Sequence, residues 1–279
     1  MPGRQAFGYR AMAAPLVLLV AALYSWPLLK ILWLSVSDPE PGLGNYRQLL
    51  ESEGLARLLW TTVRICAITT VASVLAGYLL AYVMVHSRAR QRHWMLTLVI
   101  MSFWISVLVR AFAWLTILGR NGLVNGLLMS TGLIAEPLPL VRNELGVLIG
   151  MIHYMTPYAT LPLLASMQGI DARLASASRS LGAGSFYTFR RIFLPLTLPG
   201  LAAAGLLVFI ISLGFYVTPA ILGGGKVLMV AEYVSVEVLV TLRWGTAAML
   251  ATLLVAIVFV LLFVLSRFMK ASTAFGARA

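Results

Sequence analysis

The stretch of sequence that decides the fold covers residues 170–200 and reads IDARLASASRSLGAGSFYTFRRIFLPLTLPG. It is the longest polar interruption of an otherwise apolar chain. Asp171 predicts the cap of a helix over 172–181, because a carboxylate accepts the free N–H groups of a first helical turn. Gly182 predicts the end of that helix, since glycine adopts the left-handed conformation that commonly follows one.

A second short helix is predicted after this glycine. Ser185 can cap it, and Pro195 and Pro199 limit it, because proline lacks the N–H group that a helix interior needs. The bases in or beside the two helices are Arg173, Arg179, Arg190 and Arg191. Two short helices at an angle are therefore expected to bring positive charge to a membrane face.

The composition places the chain among membrane proteins. Of its 279 residues, 61% are hydrophobic and 11% are charged, whereas soluble domains average about 25% charged residues. The formal net charge is +12, but the bases lie between apolar runs instead of forming one basic face, so nucleic acid is not an expected partner. The single cysteine, Cys66, permits no intrachain disulfide and is expected to be a small buried residue.

Long apolar runs predict the membrane-spanning helices, each of which needs about 20 apolar residues. The six runs are 12–34, 62–85, 94–118, 145–167, 198–222 and 246–266. They predict an all-α polytopic membrane protein whose six transmembrane helices form a single domain over residues 1–279. The polar stretch that opened this section, within 168–197, lies between the fourth and fifth runs.

The distribution of bases predicts the orientation in the membrane. The N-terminus, the 86–93 loop, the 168–197 loop and the C-terminus hold twelve bases, against six in the loops of the opposite side. The twelve are Arg4, Arg10, Arg88, Arg90, Arg92, Arg173, Arg179, Arg190, Arg191, Arg267, Lys270 and Arg278. The positive-inside rule therefore puts both termini and the 168–197 loop in the cytoplasm.

Arg110 is the clear charge inside a predicted span. It lies about 24 Å above Trp94 at the helical rise of 1.5 Å per residue, which places it in the outer leaflet. It is either a structural anchor or part of a path for a solute, because a charge inside a membrane span commonly marks such a path. Asp and Glu are absent from all six runs, which is evidence against a proton-driven carrier with a buried carboxylate relay.

Aromatic residues gather in the outer halves of the predicted spans. Tyr154 and Tyr158 are four residues apart and share one helix face. Trp104, Phe215 and Tyr216 lie on neighbouring runs. These faces are candidates for a solute path, because each could hold a cation through a contact of about 0.5–2 kcal/mol. Core packing and an interfacial belt are the alternative roles.

Two acids lie in the apolar segment 223–243, which is expected to dip into the outer leaflet. Glu232 and Glu237 are five residues apart, so on a helix they diverge by about 140° and cannot both face a path. Glu237 is the path candidate because it lies deeper in the segment. The alternative is that Glu237 pairs with Arg243 or Arg110.

Residues 223–226, GGGK, do not form a phosphate-binding loop. A Walker loop places Ser or Thr after the lysine, between a strand and a helix, whereas here Val227 follows in an apolar setting. Neither a zinc signature nor a catalytic triad stands out. The chain is therefore expected to bind no metal or cofactor of its own.

The spacing within 168–197 resembles the coupling loop of ABC importer permeases, EAA-x3-G-x9-I-x-L-P. The family's first position is acidic, whereas this chain has Ser176 there. In the family this loop docks in a cleft of the ATPase subunit. The residues that the resemblance assigns to ATPase coupling are Ser176, Ala177, Ser178, Arg179, Gly182, Ile192, Leu194 and Pro195.

The resemblance extends over nearly the whole chain to the first permease of spermidine/putrescine-type importers. The similar pieces are Asn45–Tyr46, FWISVLVRAFAW (103–114), Gly122–Asn125, YMTPYATLPLLASMQGID (154–171), LGAGSFYTFRRIFLPLTLPG (181–200) and GFYVTPAILGGGK (214–226). The resemblance implies a type I ABC importer permease fold in a bacterial inner membrane. It also implies a polyamine solute moved by alternating access, or another small organic solute or iron.

The same resemblance implies the partners. They are a second homologous permease forming a heterodimer, two cytoplasmic ABC ATPases, an extracytoplasmic solute-binding protein and membrane lipid. ATP and magnesium belong to the ATPases, so this chain is expected to be no enzyme. Two other classes stay open: a secondary transporter, which works without an ATPase, and a membrane scaffold or receptor, which transports nothing.

Overall fold

The computed structural model describes residues 2–276, and Arg278, one of the bases used to predict orientation, lies outside them. No strand occurs among the described residues. They fall into two compact units. The smaller unit comprises the residues up to Ala56 together with Tyr233–Ala256, and the larger comprises Arg57–Glu232 and the residues from Ile257 onward.

Helices account for most of the described chain. In chain order they are α1 (Pro2–Ser37), α2 (Gly44–Glu51), α3 (Glu53–His86), α4 (Ala89–Trp104), α5 (Val107–Ile117), α6 (Leu123–Ser130), α7 (Glu144–Gln168), α8 (Ala172–Ser180), α9 (Ser185–Thr188), a π-helical turn (Phe189–Phe193), α10 (Leu194–Leu213), α11 (Val217–Gly223), α12 (Val230–Leu239) and α13 (Trp244–Gly276).

Five stretches of helix among the described residues are long and apolar enough to cross a membrane. They are Pro15–Ser37, Glu53–His86, Glu144–Gln168, Ser185–Leu213 and Trp244–Val264. The pair α4 and α5 is a sixth candidate if it is counted as one broken span. The predicted all-α polytopic fold is therefore confirmed.

The predicted third span, 94–118, is not one straight helix. α4 ends at Trp104, and α5 begins at Val107 at an angle of 99° to it. Ile105 (ψ 123°) and Ser106 (ψ 140°) are extended between them. Extended residues interrupt the i to i−4 hydrogen-bond ladder, so the chain turns here. We call this break the elbow.

The predicted fifth run, 198–222, is also divided. α10 ends at Leu213, and α11 starts three residues beyond Gly214. Glycine is a poor helix former, and Pro219 has no N–H group to bond the carbonyl of Phe215. A continuous helix through this point would lose at least that hydrogen bond, so a turn replaces it.

The core of the larger unit lies where α3, α7 and α10 pack together. Its buried residues are Tyr78, Ala81, Met84, Met155, Ala159, Leu163, Leu164, Met167, Ala204 and Val208. A Cβ added at Gly77 would lie 2.8 Å from the Cβ of Ala159, so the contact of α3 with α7 requires glycine there. Cys66 is fully buried, as expected.

In the smaller unit, polar side chains hold the connections between helices. The Asn45 amide donates to the carbonyls of Ser35 at 3.1 Å and Asp38 at 2.7 Å, joining α2 to the end of α1. The Asp38 carboxylate accepts the backbone N–H of Gly245 at 2.6 Å. Its negative charge thus lies at the N-terminus of α13, where the helix dipole favours it.

Candidate functional site

The first candidate site is the coupling segment, residues 168–197, between α7 and α10. Its first helix, α8, begins after Asp171, whose Oδ1 accepts the N–H of Arg173 at 2.9 Å. This confirms the predicted cap. The helix ends at Ser180, one residue before the predicted end.

The turn after α8 is a Schellman motif. The N–H of Gly182 donates to the carbonyl of Arg179 at 2.9 Å, and the N–H of Ala183 donates to that of Ser178 at 3.1 Å. Gly182 has φ +82°, a conformation that costs other residues about 1–2 kcal/mol. The prediction that this glycine ends the helix is confirmed.

The prediction of a second short helix capped by Ser185 and limited by prolines is wrong. Ser185 is the first residue of α9, and Gly184 precedes it without any side-chain cap. The helix then continues through the π-helical turn into α10. In that turn, the N–H of Leu194 donates to the carbonyl of Phe189, five residues back. The wider turn ends where Pro195 has no N–H to donate, so the proline is accommodated.

A buried pair of hydroxyl groups ties α8 to α9. Ser178 Oγ and Thr188 Oγ1 are 2.9 Å apart, and both side chains are buried. Among the motif residues, Ser178 thus points inward, and Ile192 and Leu194 are half-buried. The exposed motif residues are Ser176, Ala177, Arg179, Gly182 and Pro195.

The tip of the coupling segment exposes large apolar side chains that the sequence analysis did not single out. Leu181 is 88% exposed, Phe186 74% and Tyr187 58%. They flank the Gly182–Gly184 turn in a polar stretch, which is the local signal that could have identified them. Neighbouring exposed apolar groups are typical of a surface that contacts another protein or a membrane.

A cavity of about 390 Å³ lies between the coupling segment and the end of α3. His86 and Tyr82 line it from α3, and Phe193 lines it from the π-helical turn. The His86 ring centroid lies 4.2 Å from that of Tyr82 and 5.6 Å from that of Phe193. Aromatic contacts therefore pack the π-helical turn of the coupling segment against the end of α3.

The second candidate site is a cluster of aromatic rings in the larger unit. Tyr154 and Tyr158 stack on α7 with centroids 5.6 Å apart and hydroxyls 3.4 Å apart. Phe215 lies 4.6 Å from Tyr154, and Phe103 lies 4.8 Å from Tyr158. We call these four residues the aromatic cluster. Three of them were predicted path residues, and Phe103 was not.

Arg110 joins this cluster from α5. Its guanidinium carbon lies 4.7 Å from the centroid of the Tyr154 ring. Its Nη2 donates to the carbonyls of Ser102 and Ile105 at the elbow. The structure thus gives Arg110 contacts within its own subunit, as the anchoring interpretation requires.

The other predicted aromatic path residues lie apart from these contacts. Trp104 is 87% exposed at the end of α4, and Tyr216 is 47% exposed just before α11. The aromatic candidates therefore form one compact cluster and two exposed single residues.

Glu237, the acidic path candidate, belongs to the smaller unit and is 1% exposed. Its carboxylate accepts from Arg243 at 2.6 Å and from the Thr241 hydroxyl at 2.9 Å. Burial alone would raise the pKa of Glu237, but hydrogen bonds from Tyr233, Thr241 and Arg243 lower it below its ordinary value. The alternative pairing with Arg243 is the one observed.

Glu232 lies one and a half turns earlier on α12. Burial raises the pKa of its carboxyl group, and a hydrogen bond from the backbone of Met229 partly offsets this. Its Oε2 atom is buried without a partner among the described residues. On this helix, the protein environment therefore raises the pKa of Glu232 and lowers the pKa of Glu237.

Within residues 2–276, no group of three or more His, Cys, Asp or Glu side chains is placed to hold a metal ion. The chemistry that the two candidate sites offer is noncovalent. One presents an apolar contact surface on a rigid turn, and the other presents aromatic faces beside a buried cation.

Comparison with protein families identifies the class. The family described as "Binding-protein-dependent transport system inner membrane component" matches residues 73–272. The chain is 33% identical to the spermidine/putrescine transport system permease protein PotB of Haemophilus influenzae, over 76% of this chain and 74% of that protein. It is 31% identical to the PotB protein of Escherichia coli K12, over 74% of each.

A more distant relative is the putative 2-aminoethylphosphonate transport system permease protein PhnU of Salmonella typhimurium. It is 27% identical over 70% of each chain. The name of its solute differs from that of the PotB relatives, although all three are called permease proteins.

Solved structures agree on the fold. A chain of a bacterial ABC transporter involved in the import of the acidic polysaccharide alginate matches with a TM-score of 0.78 at 18% identity, over 96% of each chain. A chain of the MetNI methionine ABC transporter matches with a TM-score of 0.58 at 17% identity, over 79% of this chain and 98% of that one. The ABC importer permease fold is thus confirmed. The chain belongs to the family of binding-protein-dependent transport system inner membrane components and is a multi-pass inner-membrane permease protein.

Proposed function

We propose that the chain is the transmembrane subunit of an ATP-driven importer whose solute is a polyamine such as spermidine or putrescine. The observation that supports the coupling role is the shape of the coupling segment. Its apolar tip at Leu181, Phe186 and Tyr187 is exposed, and the helix that starts at Ser185 continues into α10 without a loop. A partner that grips the tip would therefore move α10.

In this proposal the partner at the tip is one of two cytoplasmic ABC ATPases. The Schellman turn and the Ser178–Thr188 pair hold α8 and α9 at a fixed angle, so the tip enters a cleft as one rigid body. Closure of the ATPases shifts the coupling segment, and α7 and α10 transmit the shift to the membrane. ATP and magnesium are bound by the ATPases, and this chain performs no bond chemistry.

The remaining partners complete a solute path. A second, homologous permease supplies its other half, and an extracytoplasmic binding protein delivers the solute. The family description names dependence on a binding protein. A structurally similar chain belongs to a bacterial alginate ABC transporter that was solved in complex with a periplasmic protein. The coupling segment and both termini then face the cytoplasm, in agreement with the distribution of bases.

The names of the PotB relatives support a polyamine as solute. Within the aromatic cluster, the rings of Phe103, Tyr158 and Phe215 suit such a molecule, because a ring face that holds no other cation can attract an ammonium group by about 0.5–2 kcal/mol. The face of Tyr154 already holds Arg110. The PhnU relative supports the alternative of another small organic solute, and iron remains the further alternative. The binding protein makes the first selection, so its ligand decides between these.

The experiment has two stages. First, the thermal stability of the cognate binding protein is measured with spermidine, putrescine, 2-aminoethylphosphonate and ferric iron. We expect only the polyamines to stabilise it, and stabilisation by another solute alone would contradict the polyamine assignment.

Second, the complex is reconstituted in proteoliposomes with radiolabelled solute and binding protein outside and ATP inside. We expect uptake that stops when ATP is replaced by a nonhydrolysable analogue. Uptake that continues without the ATPase subunits would contradict the importer class and favour a secondary transporter. Uptake should also stop when the binding protein is left out.

A further inference from the structure

The elbow between α4 and α5 leaves backbone carbonyl groups without helical hydrogen bonds. The last carbonyl groups of α4 have no partners within the helix, because the chain leaves the helical path at Ile105. Unsatisfied carbonyls are costly in a membrane, where no water can replace the lost hydrogen bonds. Arg110 of α5 reaches back and donates to the carbonyls of Ser102 and Ile105.

The charge of Arg110 presents a second problem. The side chain is only 7% exposed, and none of the ion pairs among the described residues includes it. A buried cation needs compensation. The carbonyl end of α4 supplies about half an elementary negative charge, and the ring face of Tyr154 supplies a cation–π contact at 4.7 Å.

Tyr154 connects this arrangement to the rest of the larger unit. It lies on α7 and packs against Phe215, with centroids 4.6 Å apart. The Arg110 guanidinium is therefore shared by three helices: it belongs to α5, bonds the end of α4 and lies on a ring of α7. Its Nε has no hydrogen-bond partner within the described part of the chain, so the contacts are made by Nη2 and by the guanidinium face.

We propose that Arg110 is a positioning residue for transport, which fixes the angle of the elbow and ties it to α7 through the face of the Tyr154 ring. The elbow is then a rigid joint that moves together with α7. Because α7 leads directly into the coupling segment, a shift of that segment reaches the aromatic cluster without being absorbed at the break. The idea rests on the proposed function only for its transport readout.

Two pairs of variants test the arrangement. Tyr154→Phe keeps the ring and removes the hydroxyl, whereas Tyr154→Leu removes the ring face. Arg110→Lys keeps the charge but lacks the planar guanidinium that can stack and bond two carbonyls, and Arg110→Gln removes the charge. If the Arg110 variants fail to assemble, the Tyr154 pair still decides, because its substitutions leave the arginine in place.

The first measurement is the distance across the elbow. Spin labels are placed at Leu98 on α4 and Phe112 on α5, which are 66% and 55% exposed, in a Cys66→Ala background. Double electron–electron resonance of the assembled complex should give the same narrow distribution for the unsubstituted chain and Tyr154→Phe. Tyr154→Leu, Arg110→Lys and Arg110→Gln should broaden or shift it. An unchanged distribution in Tyr154→Leu or Arg110→Gln would overturn the proposal.

The second measurement is uptake in proteoliposomes at equal complex content. Tyr154→Phe keeps the ring face and should retain most of the maximal rate, whereas Tyr154→Leu should lower that rate roughly tenfold, the scale of one cation–π contact, with little change in KM. Equal loss in Tyr154→Phe and Tyr154→Leu would show that the hydroxyl matters instead of the ring face, and would contradict the proposal. If no polyamine is taken up but the distances change as expected, the proposed solute fails and Arg110 retains its positioning role.

Discussion

Glu237 is a fully buried carboxylate. Its hydrogen-bond partners are Tyr233, four residues before it, and Thr241 and Arg243, four and six residues after it. Arg243 can reach it because Leu242 adopts a left-handed conformation, with φ +56°, and turns the chain back. Arg243 itself is about half exposed, with 53% of its side chain accessible. The pair therefore fastens the connection between α12 and α13 and keeps the Glu237 carboxylate buried.

Replacing this carboxylate by an amide should weaken the fold. Glu237→Gln weakens the charge-assisted bond to Arg243, and we expect the complex to lose about 1.5–3 kcal/mol of stability. The melting temperature of the purified complex measures the loss. Glu237→Gln combined with Arg243→Gln should cost less than the sum of the single changes, because the two residues contact each other. A normal melting temperature with abolished uptake would instead return Glu237 to the solute path.

The pH dependence of stability should report the same contact. Folding lowers the pKa of Glu237, so its contribution is present above the unfolded-state pKa and is lost as pH falls through the lower folded-state pKa. The ordinary pKa of a glutamate carboxyl group is 4.5. When the pH is lowered below this value, the melting temperature of the unsubstituted complex should therefore fall more than that of Glu237→Gln. Parallel acid profiles would contradict this assignment.

At the scale of elements, the coupling segment depends on one left-handed residue. Gly182 and Gly184 are two residues apart, and a Cβ at either would meet open space. They differ in backbone conformation: Gly182 has φ +82°, whereas Gly184, which precedes α9, has φ −69°. They are thus a matched pair for separating backbone strain from steric contact.

Gly182→Val should disturb the angle between α8 and α9, since a β-branched residue at positive φ costs at least about 1–2 kcal/mol. We expect reduced co-purification of the ATPase subunit with normal insertion in the membrane. Gly184→Val should co-purify like the unsubstituted chain, because extended backbone accepts valine. Equal recovery of the ATPase with both variants would argue against docking through this turn.

Sequence patterns predicted the first helix of the coupling segment, but not the start and the continuation of the second. Asp171 caps α8 and Gly182 ends it, and both roles depend only on residues next to them in the sequence. The break at Gly214 also had a local signal in Pro219. The elbow had none, because hydropathy is similar on both sides of Ile105, and the break is stabilised by Arg110 and by Tyr154 from another helix. Such contacts between distant residues cannot be obtained from periodicity.

At the scale of the whole molecule, the predicted orientation is open to direct measurement. The natural cysteine is fully buried, so a Cys66→Ala chain offers a clean background. Ser185 is exposed in the coupling segment, and Ser52 lies between α2 and α3. The positive-inside rule puts these positions on opposite sides of the membrane.

A cysteine at Ser185 should resist a membrane-impermeant thiol reagent in intact cells and react after permeabilisation. A cysteine at Ser52 should react in intact cells. Labelling is read on gels after solubilisation, with the Cys66→Ala chain as the blank. The reverse pattern would invert the topology, and with it the placement of the coupling segment beside the ATPases.

The π-helical turn has a mechanical consequence. Because it replaces a loop, the helix from Ser185 to Leu213 is one rod of 29 residues, roughly 43 Å long at 1.5 Å per residue. A rod of this length is a lever: tilting it by 5° about one end displaces the other end by roughly 4 Å. A rocking motion of a few degrees at the tip would thus shift the far end by about the diameter of a methylene chain.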